Sequence, residues 1–125
     1  MPKTLTDRES DIMQVLWDQG PCRVSDVRGN LEDPLAHNTV LTMLGILEEK
    51  GFVRREADGR GHRYFALVPE KDARQSAVRH LVRKFFRGSS ELLFTHLVSE
   101  QRLSAAQVKR LRQLLREALD EEDRS

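Results

Sequence analysis

Apolar residues recur along this chain at two different intervals, and the points where the interval changes divide it into segments. Over Thr6 to Trp17, Ile12, Val15 and Leu16 fall on one helical face with Trp17 beside them. Thr6 is placed to cap this helix, and Glu9 three residues later completes a capping box. Gln19-Gly20-Pro21 stops it. A short helix over Ser25 to Leu31 follows, with Ser25 as its cap and Val27 and Leu31 four apart, until Asp33-Pro34 breaks it. Val40, Leu41, Leu44 and Leu47 predict a third helix over His37 to Lys50, and Gly51 stands where a C-cap glycine is expected. The pattern then changes: Phe52 to Ala57 and Arg63 to Val68 are short β-compatible runs, joined by the turn-rich Asp58-Gly59-Arg60-Gly61-His62.

Beyond Pro69 the periodicity is helical throughout, over Lys71 to Arg87, Glu91 to Ser99 and Ala105 to about Glu122, the last capped by Ser104. The predicted fold is mainly α with a small β-hairpin. An N-terminal winged helix-turn-helix over residues 1–69 is followed by a C-terminal helical dimerisation region over residues 70–125. In the second half Ala77, Leu81 and Phe85 run four apart, Leu93 and Leu97 do the same, and Val108, Leu111, Leu115 and Ala118 step by three and four as a coiled-coil seam does. Stripes this broad on three short helices bury poorly against one another, which predicts a partner surface, most economically a second copy of the chain. The competing arrangement is a core helix packed back on the first half.

The length of 125 residues admits one compact domain or two small lobes, and 38% hydrophobic with 33% charged residues is a composition that folds. No apolar run approaches a membrane span and the start has no leader pattern, so no membrane insertion is expected. The single cysteine, Cys22, excludes an internal disulfide and suits a reducing cytoplasm. The net charge of +1 shows no global basic field. Residues 1–69 carry 9 Lys/Arg against 11 Asp/Glu, and residues 70–125 carry 12 against 9, so any nucleic-acid contact must rest on where the arginines stand.

Catalysis finds no support. His37, His62, His80 and His96 lie in four different segments without a metal-ligand or acid–base spacing. Cys22, between Pro21 and Arg23, reads as a small semi-buried residue, and Gly59-Arg60-Gly61 lacks the flanking strand and helix of a phosphate loop. No cofactor and no metal is expected, and the chain is not an enzyme.

A nucleic-acid reading fits better. In a helix-turn-helix the second helix enters the major groove by its N-terminal end, and here that end offers His37, Asn38, Thr39 and Thr42. The plainer reading has Asn38 or Thr39 merely capping the helix. The hairpin adds Arg54, Arg60, His62 and Arg63 as backbone contacts, with Arg55 and Arg63 on solvent faces while Val53, Tyr64 or Phe65 pack inward.

Three stretches resemble the penicillinase-repressor family, the BlaI, MecI and CopY type of transcriptional repressors. They are Leu5-Thr6-Asp7-Arg8-Glu9-Ser10-Asp11-Ile12-Met13 through Leu16-Trp17, then Thr39-Val40-Leu41-Thr42-Met43-Leu44 to Leu47-Glu48-Glu49-Lys50-Gly51-Phe52-Val53-Arg54-Arg55, then Gly61-His62-Arg63-Tyr64-Phe65. The resemblance implies a homodimer whose winged helices occupy the two halves of a double-stranded DNA operator while the C-terminal helices entwine. It also implies a membrane-bound sensor metallopeptidase that relieves repression by triggering cleavage in the dimerisation region, at a bond equivalent to His96-Leu97. The relatives of the lactam response are cleaved at an Asn-Phe pair, where this chain has other residues, and the copper-responsive relatives carry a C-terminal cysteine motif that the tail Asp120-Glu121-Glu122-Asp123-Arg124-Ser125 lacks. Two other readings remain open: a winged-helix regulator answering a small ligand, and a winged-helix protein-interaction module.

Overall fold

A computed structural model describes residues 4–100 and 103–124, so that residues 1–3 of the predicted DNA-binding domain, and residues 101–102 and Ser125 of the helical region, lie outside it. The elements run α1 (Asp7–Gln19), α2 (Val24–Gly29), α3 (His37–Glu49), β1 (Val53–Asp58), β2 (Gly61–Ala66), α4 (Glu70–Phe85), α5 (Ser90–Glu100) and α6 (Ala105–Arg124). They form two compact units, Met1–Leu81 and Val82–Ser125. No described helix is long and apolar enough to cross a membrane.

The first unit is a winged helix. The start of α1 carries the predicted capping box: the Glu9 N–H donates to Thr6 Oγ1 at 3.2 Å, and the Thr6 N–H donates to Glu9 Oε1 at 2.8 Å. Ile12, Met13, Val15 and Leu16 of α1 meet Val27 of α2 and Val40, Leu44 and Leu47 of α3 in the core, closed by Cys22, Phe52, Val53 and Tyr64. Each of these large side chains contributes about 1.5–3 kcal/mol by leaving water. Gly51 follows α3 with a φ of 83°, a left-handed conformation that ends the helix and turns the chain into β1.

Two local details differ from the sequence expectation. α2 begins one residue early and Ser25 does not cap it; Asp26 reaches back instead, accepting the Arg23 N–H at 3.0 Å. The hairpin is tighter than the five-residue connector predicted, because Asp58 pairs with Gly61 and only Gly59 and Arg60 form the turn, Gly59 taking a φ of 64°. The register, from Val53 opposite Ala66 to Asp58 opposite Gly61, puts Arg55 on the same face as Val53 and Tyr64. Arg55 is nevertheless exposed, as predicted, since the hairpin runs past the end of the core. Val53 and Tyr64 are buried and Phe65 is half-buried.

One further pairing was not legible. The Cys22 N–H donates to the Tyr64 carbonyl at 3.1 Å and the Tyr64 N–H to the Cys22 carbonyl at 2.7 Å, so the segment ahead of α2 is stitched to β2. The Trp17 indole N–H donates to the Val68 carbonyl at 2.9 Å and anchors the chain leaving the wing.

In the second unit α4 ends at Phe85, short of the predicted Arg87. Arg87 and Gly88 take φ values of 52° and 77°, and the Gly88 N–H turns back to the Val82 carbonyl at 3.0 Å. Ser104 caps α6 as predicted, accepting the Gln107 N–H at 3.1 Å. Apolar side chains stay in solvent: Phe85 is 68% exposed and Leu115 52%, with Leu97 also exposed and Leu93, Val108 and Leu111 half-buried. Leu81, the last residue of the first unit, is exposed as well.

Among the described residues Glu9 is the one buried charged side chain. Lys50 Nζ, at the end of α3, donates to its two oxygens at 2.7 and 3.0 Å and to the Thr4 carbonyl at 3.2 Å. Burial pushes the Glu9 carboxyl up, but the Lys50 ammonium and the Thr6 donors outweigh it and hold it below its ordinary value. A carboxyl depressed in the folded state stabilises fully above the pH range of the unfolded group, and that contribution disappears as pH falls through the folded value. Glu9→Gln is expected to cost about 2–3 kcal/mol at neutral pH by leaving Lys50 uncompensated. Urea unfolding from neutral to acid pH checks this: the gap between wild type and variant should narrow as the pH falls.

Candidate nucleic-acid interface

Val40, Leu44 and Leu47 hold α3 against the core, which leaves its other face open. On that face His37, Asn38, Thr39, Leu41, Thr42, Gly45 and Ile46 are all exposed. The four residues predicted to read bases therefore share one solvent-facing surface at the start of the helix. Ala36 occupies the N-cap position and offers no side-chain acceptor, so neither Asn38 nor Thr39 caps the helix. The first turn contains no acidic residue, and its amides and dipole favour an approaching phosphate. Leu41 and Ile46, at 42% and 40% exposure, are the large apolar side chains that α3 leaves in solvent.

The hairpin stands beside this helix. His37 and Leu41 of α3 line a cleft of about 230 Å³ together with Arg23, Gly61, His62 and Tyr64, so the fold brings His37 and His62 together while Asn38, Thr39 and Thr42 lie outside that cleft. The basic residues of the wing differ in how they are engaged. Arg60 is exposed in the turn and, among the described residues, forms no ion pair. Arg54 pairs with Glu56 and lies over the Phe65 ring at 4.2 Å. Arg55 pairs with Glu48 at 3.6 Å. Arg63 donates through Nε to Asp58 Oδ2 at 3.2 Å and through Nη1 to the Pro21 carbonyl at 3.3 Å.

Sequence reasoning missed Arg23. It lies just ahead of α2, donates to Asp58 Oδ2 at 3.2 Å and lines the cleft with His37 and His62. Local pattern carries no signal for this, because the position depends on the pairing of Cys22 with Tyr64, 42 residues away in sequence.

Among the described residues no group of three or more His, Cys, Asp or Glu could hold a metal ion. His96 is remote in sequence from the wing and stacks edge-on against Phe86 with ring centroids 5.9 Å apart.

The sequence model described as "Penicillinase repressor" matches residues 5–117. The chain belongs to the penicillinase repressor family. Members of that family are DNA-binding transcriptional repressors and not enzymes. The chain is 22% identical over 113 residues to the methicillin resistance regulatory protein MecI of Staphylococcus aureus, covering 89% of this chain and 92% of that protein. It is 28% identical over 113 residues to an uncharacterized 16.5 kDa protein of Latilactobacillus sakei, covering 89% and 77%. Among solved structures it resembles the monomeric form of Bacillus licheniformis BlaI in complex with the blaP half-operator, at 26% identity and a TM-score of 0.50 over 58% of this chain and 90% of that one. A MarR family protein from Bacillus stearothermophilus shares the fold at 19% identity, with a TM-score of 0.51 over 97% of this chain and 77% of that one.

The repressor's lone cysteine is buried beside this interface. Cys22 is 3% exposed and its thiol donates to the Gly20 carbonyl at 3.2 Å. Burial, with the Asp26 carboxylate adding to it and Arg63 opposing it, pushes the thiol above its ordinary value. Ellman's reagent at neutral pH is expected to label Cys22 only at the rate of unfolding, with reaction becoming immediate in denaturant.

Proposed function

We propose that this repressor acts in the cytoplasm as a homodimer that blocks transcription by occupying an inverted-repeat operator, one winged helix on each half-site. His37, Asn38, Thr39 and Thr42 read the major groove, and Arg54, Arg60 and His62 serve the backbone, while Arg63, the remaining basic residue of the wing, is engaged by Asp58. The observation that carries this reading is the uncapped, acid-free N-terminal turn of α3, exposed beside the wing. Dimerisation through the second half is supported by the apolar side chains left in solvent there, notably Phe85, Leu97 and Leu115 alongside the half-buried Leu93, Val108 and Leu111. Leu81, exposed at the end of the first unit, extends the set.

Release by a membrane-bound sensor metallopeptidase acts on α5. That helix contains His96-Leu97 and buries no residue within a single copy of the chain. One observation favours a second reading, in which a small ligand relieves repression. A cleft of about 390 Å³ opens between α1 and the start of α4, walled by Trp17, Phe52, Leu5 and Ala77 and edged by Gln14, Glu70, Arg74 and His80.

Gel shifts at low salt with DNA from the protein's own upstream region test the reading, and no retardation of any fragment would refute it. Arg60→Ala is expected to weaken all sequences alike and to lower the salt slope by about one per copy. Asn38→Ala or Thr42→Ala should instead relax base choice by about 1–3 kcal/mol at one position. If Arg60→Ala changes no DNA binding, the protein-interaction module gains. Incubation with a membrane metallopeptidase encoded beside the gene should produce a cut between Leu92 and Ser99. If the chain stays intact, the ligand reading takes its place, and since Trp17 is the only tryptophan, its fluorescence reports occupancy of the cleft.

A further inference from the structure

Two guanidinium groups of the first unit converge on one carboxylate oxygen. Asp58 Oδ2 receives Arg23 Nη1 at 3.2 Å and both Nε and Nη2 of Arg63 at 3.2 Å. The remaining Arg63 Nη1 goes to the Pro21 carbonyl, so Arg63 is held on two sides within its own chain. The guanidinium of Arg23 lies across Gly61, where a Cβ would stand 2.7 Å from Nη2. Neither arginine is buried: their side chains are 39% and 43% exposed, and that of Asp58 is 36% exposed. Arg23 shares its cleft with His37 and Leu41 of α3 and with His62 of the wing. The cluster thus lies beside α3 and wing residues of the DNA-binding reading.

We propose that Asp58 is a specificity-determining residue that stands in for a phosphate, withholding Arg23 and Arg63 from DNA. This rests on the DNA-binding reading above. Its physical basis is competition: a carboxylate offers the same planar guanidinium donors the same kind of acceptor that a phosphate does, and its own charge repels an approaching phosphate. Phosphate contacts carry no sequence information, so two arginines released onto the backbone would tighten every DNA site equally. Holding them back leaves a larger share of the binding to the base readers on α3. The ion pairs are half in solvent, so they hold the arginines by a margin that a single substitution removes.

The test uses the full chain and a random-sequence duplex, with fluorescence anisotropy followed against KCl concentration. Asp58→Asn keeps the shape and removes the charge. It is expected to bind the random duplex about tenfold tighter than wild type at low salt, with a salt slope steeper by about two per copy, as two added phosphate contacts require. Asp18→Asn, the same charge change on the exposed end of α1, should produce a much smaller gain and no change of slope. Reverting the gain by adding Arg23→Gln and Arg63→Gln would complete the case.

An Asp58→Asn protein that melts like wild type but binds no tighter, or with an unchanged slope, overturns the proposal while leaving the DNA-binding reading intact. If neither protein binds any duplex, both fail. Should Asp58→Asn not fold, Arg23→Gln in the wild-type background decides. It is expected to change random-duplex affinity less than twofold, and a loss as large as that of Arg60→Ala would overturn the proposal.

Discussion

The pair of backbone hydrogen bonds between Cys22 and Tyr64 is the constraint on which the first unit depends. A two-stranded hairpin alone is marginal in water and has no fixed direction relative to the helices around it. By accepting and donating at Cys22, the second strand of the wing gains a second partner in the segment that leads into α2. That single stitch fixes the wing beside the helix-turn-helix, carries the Arg23 guanidinium to the turn end of the hairpin and buries the cysteine thiol in the process. The cleft shared by His37 and His62 exists because of it.

The ion pair of Glu9 and Lys50 complements this stitch at the C-terminal end of α3. Glu9 serves two elements at once, as the third residue of the α1 capping box and as the acceptor for the Lys50 ammonium that follows α3. The start of α1 and the end of α3 are thereby locked, and the core side chains between them set the rotation of α3. The face of α3 that carries His37, Asn38, Thr39 and Thr42 is exposed because Val40, Leu44 and Leu47 are claimed by the core. The near-neutral charge of the chain follows the same economy, with acidic residues paired inside the interface rather than removed from it: Glu56 with Arg54, Glu48 with Arg55, and Asp58 with Arg23 and Arg63.

Much of this was legible from local pattern because each signal was short in range. The Thr6 and Glu9 box, Gly51 at the end of α3, Ser104 ahead of α6 and the polar quartet at the start of α3 all act within one helical turn, where residue type and conformation are tightly coupled. The length of the hairpin turn was misjudged, since glycine at two of five positions permits both a tight and an open connection, and only the register with Asp58 opposite Gly61 selects the tight one. The end of α4 was misjudged for a related reason. Arg87 looks helical by composition, but Gly88 pulls the chain into a left-handed turn that carries Arg87 with it.

By itself the sequence determined the element order, the faces that seek a core, and the four polar residues that head the recognition helix, because periodicity and capping are properties of neighbours. A charge of +1 leaves any nucleic-acid affinity to rest on where the arginines stand. Which arginines are free was decided by tertiary structure alone. Among the described residues Arg60 forms no ion pair, whereas Arg63 and the unforeseen Arg23 meet on Asp58, and the contacts that arrange this join residues 35 and 42 positions apart. Charge acts through space, and the distances that govern it are set only when the chain has folded.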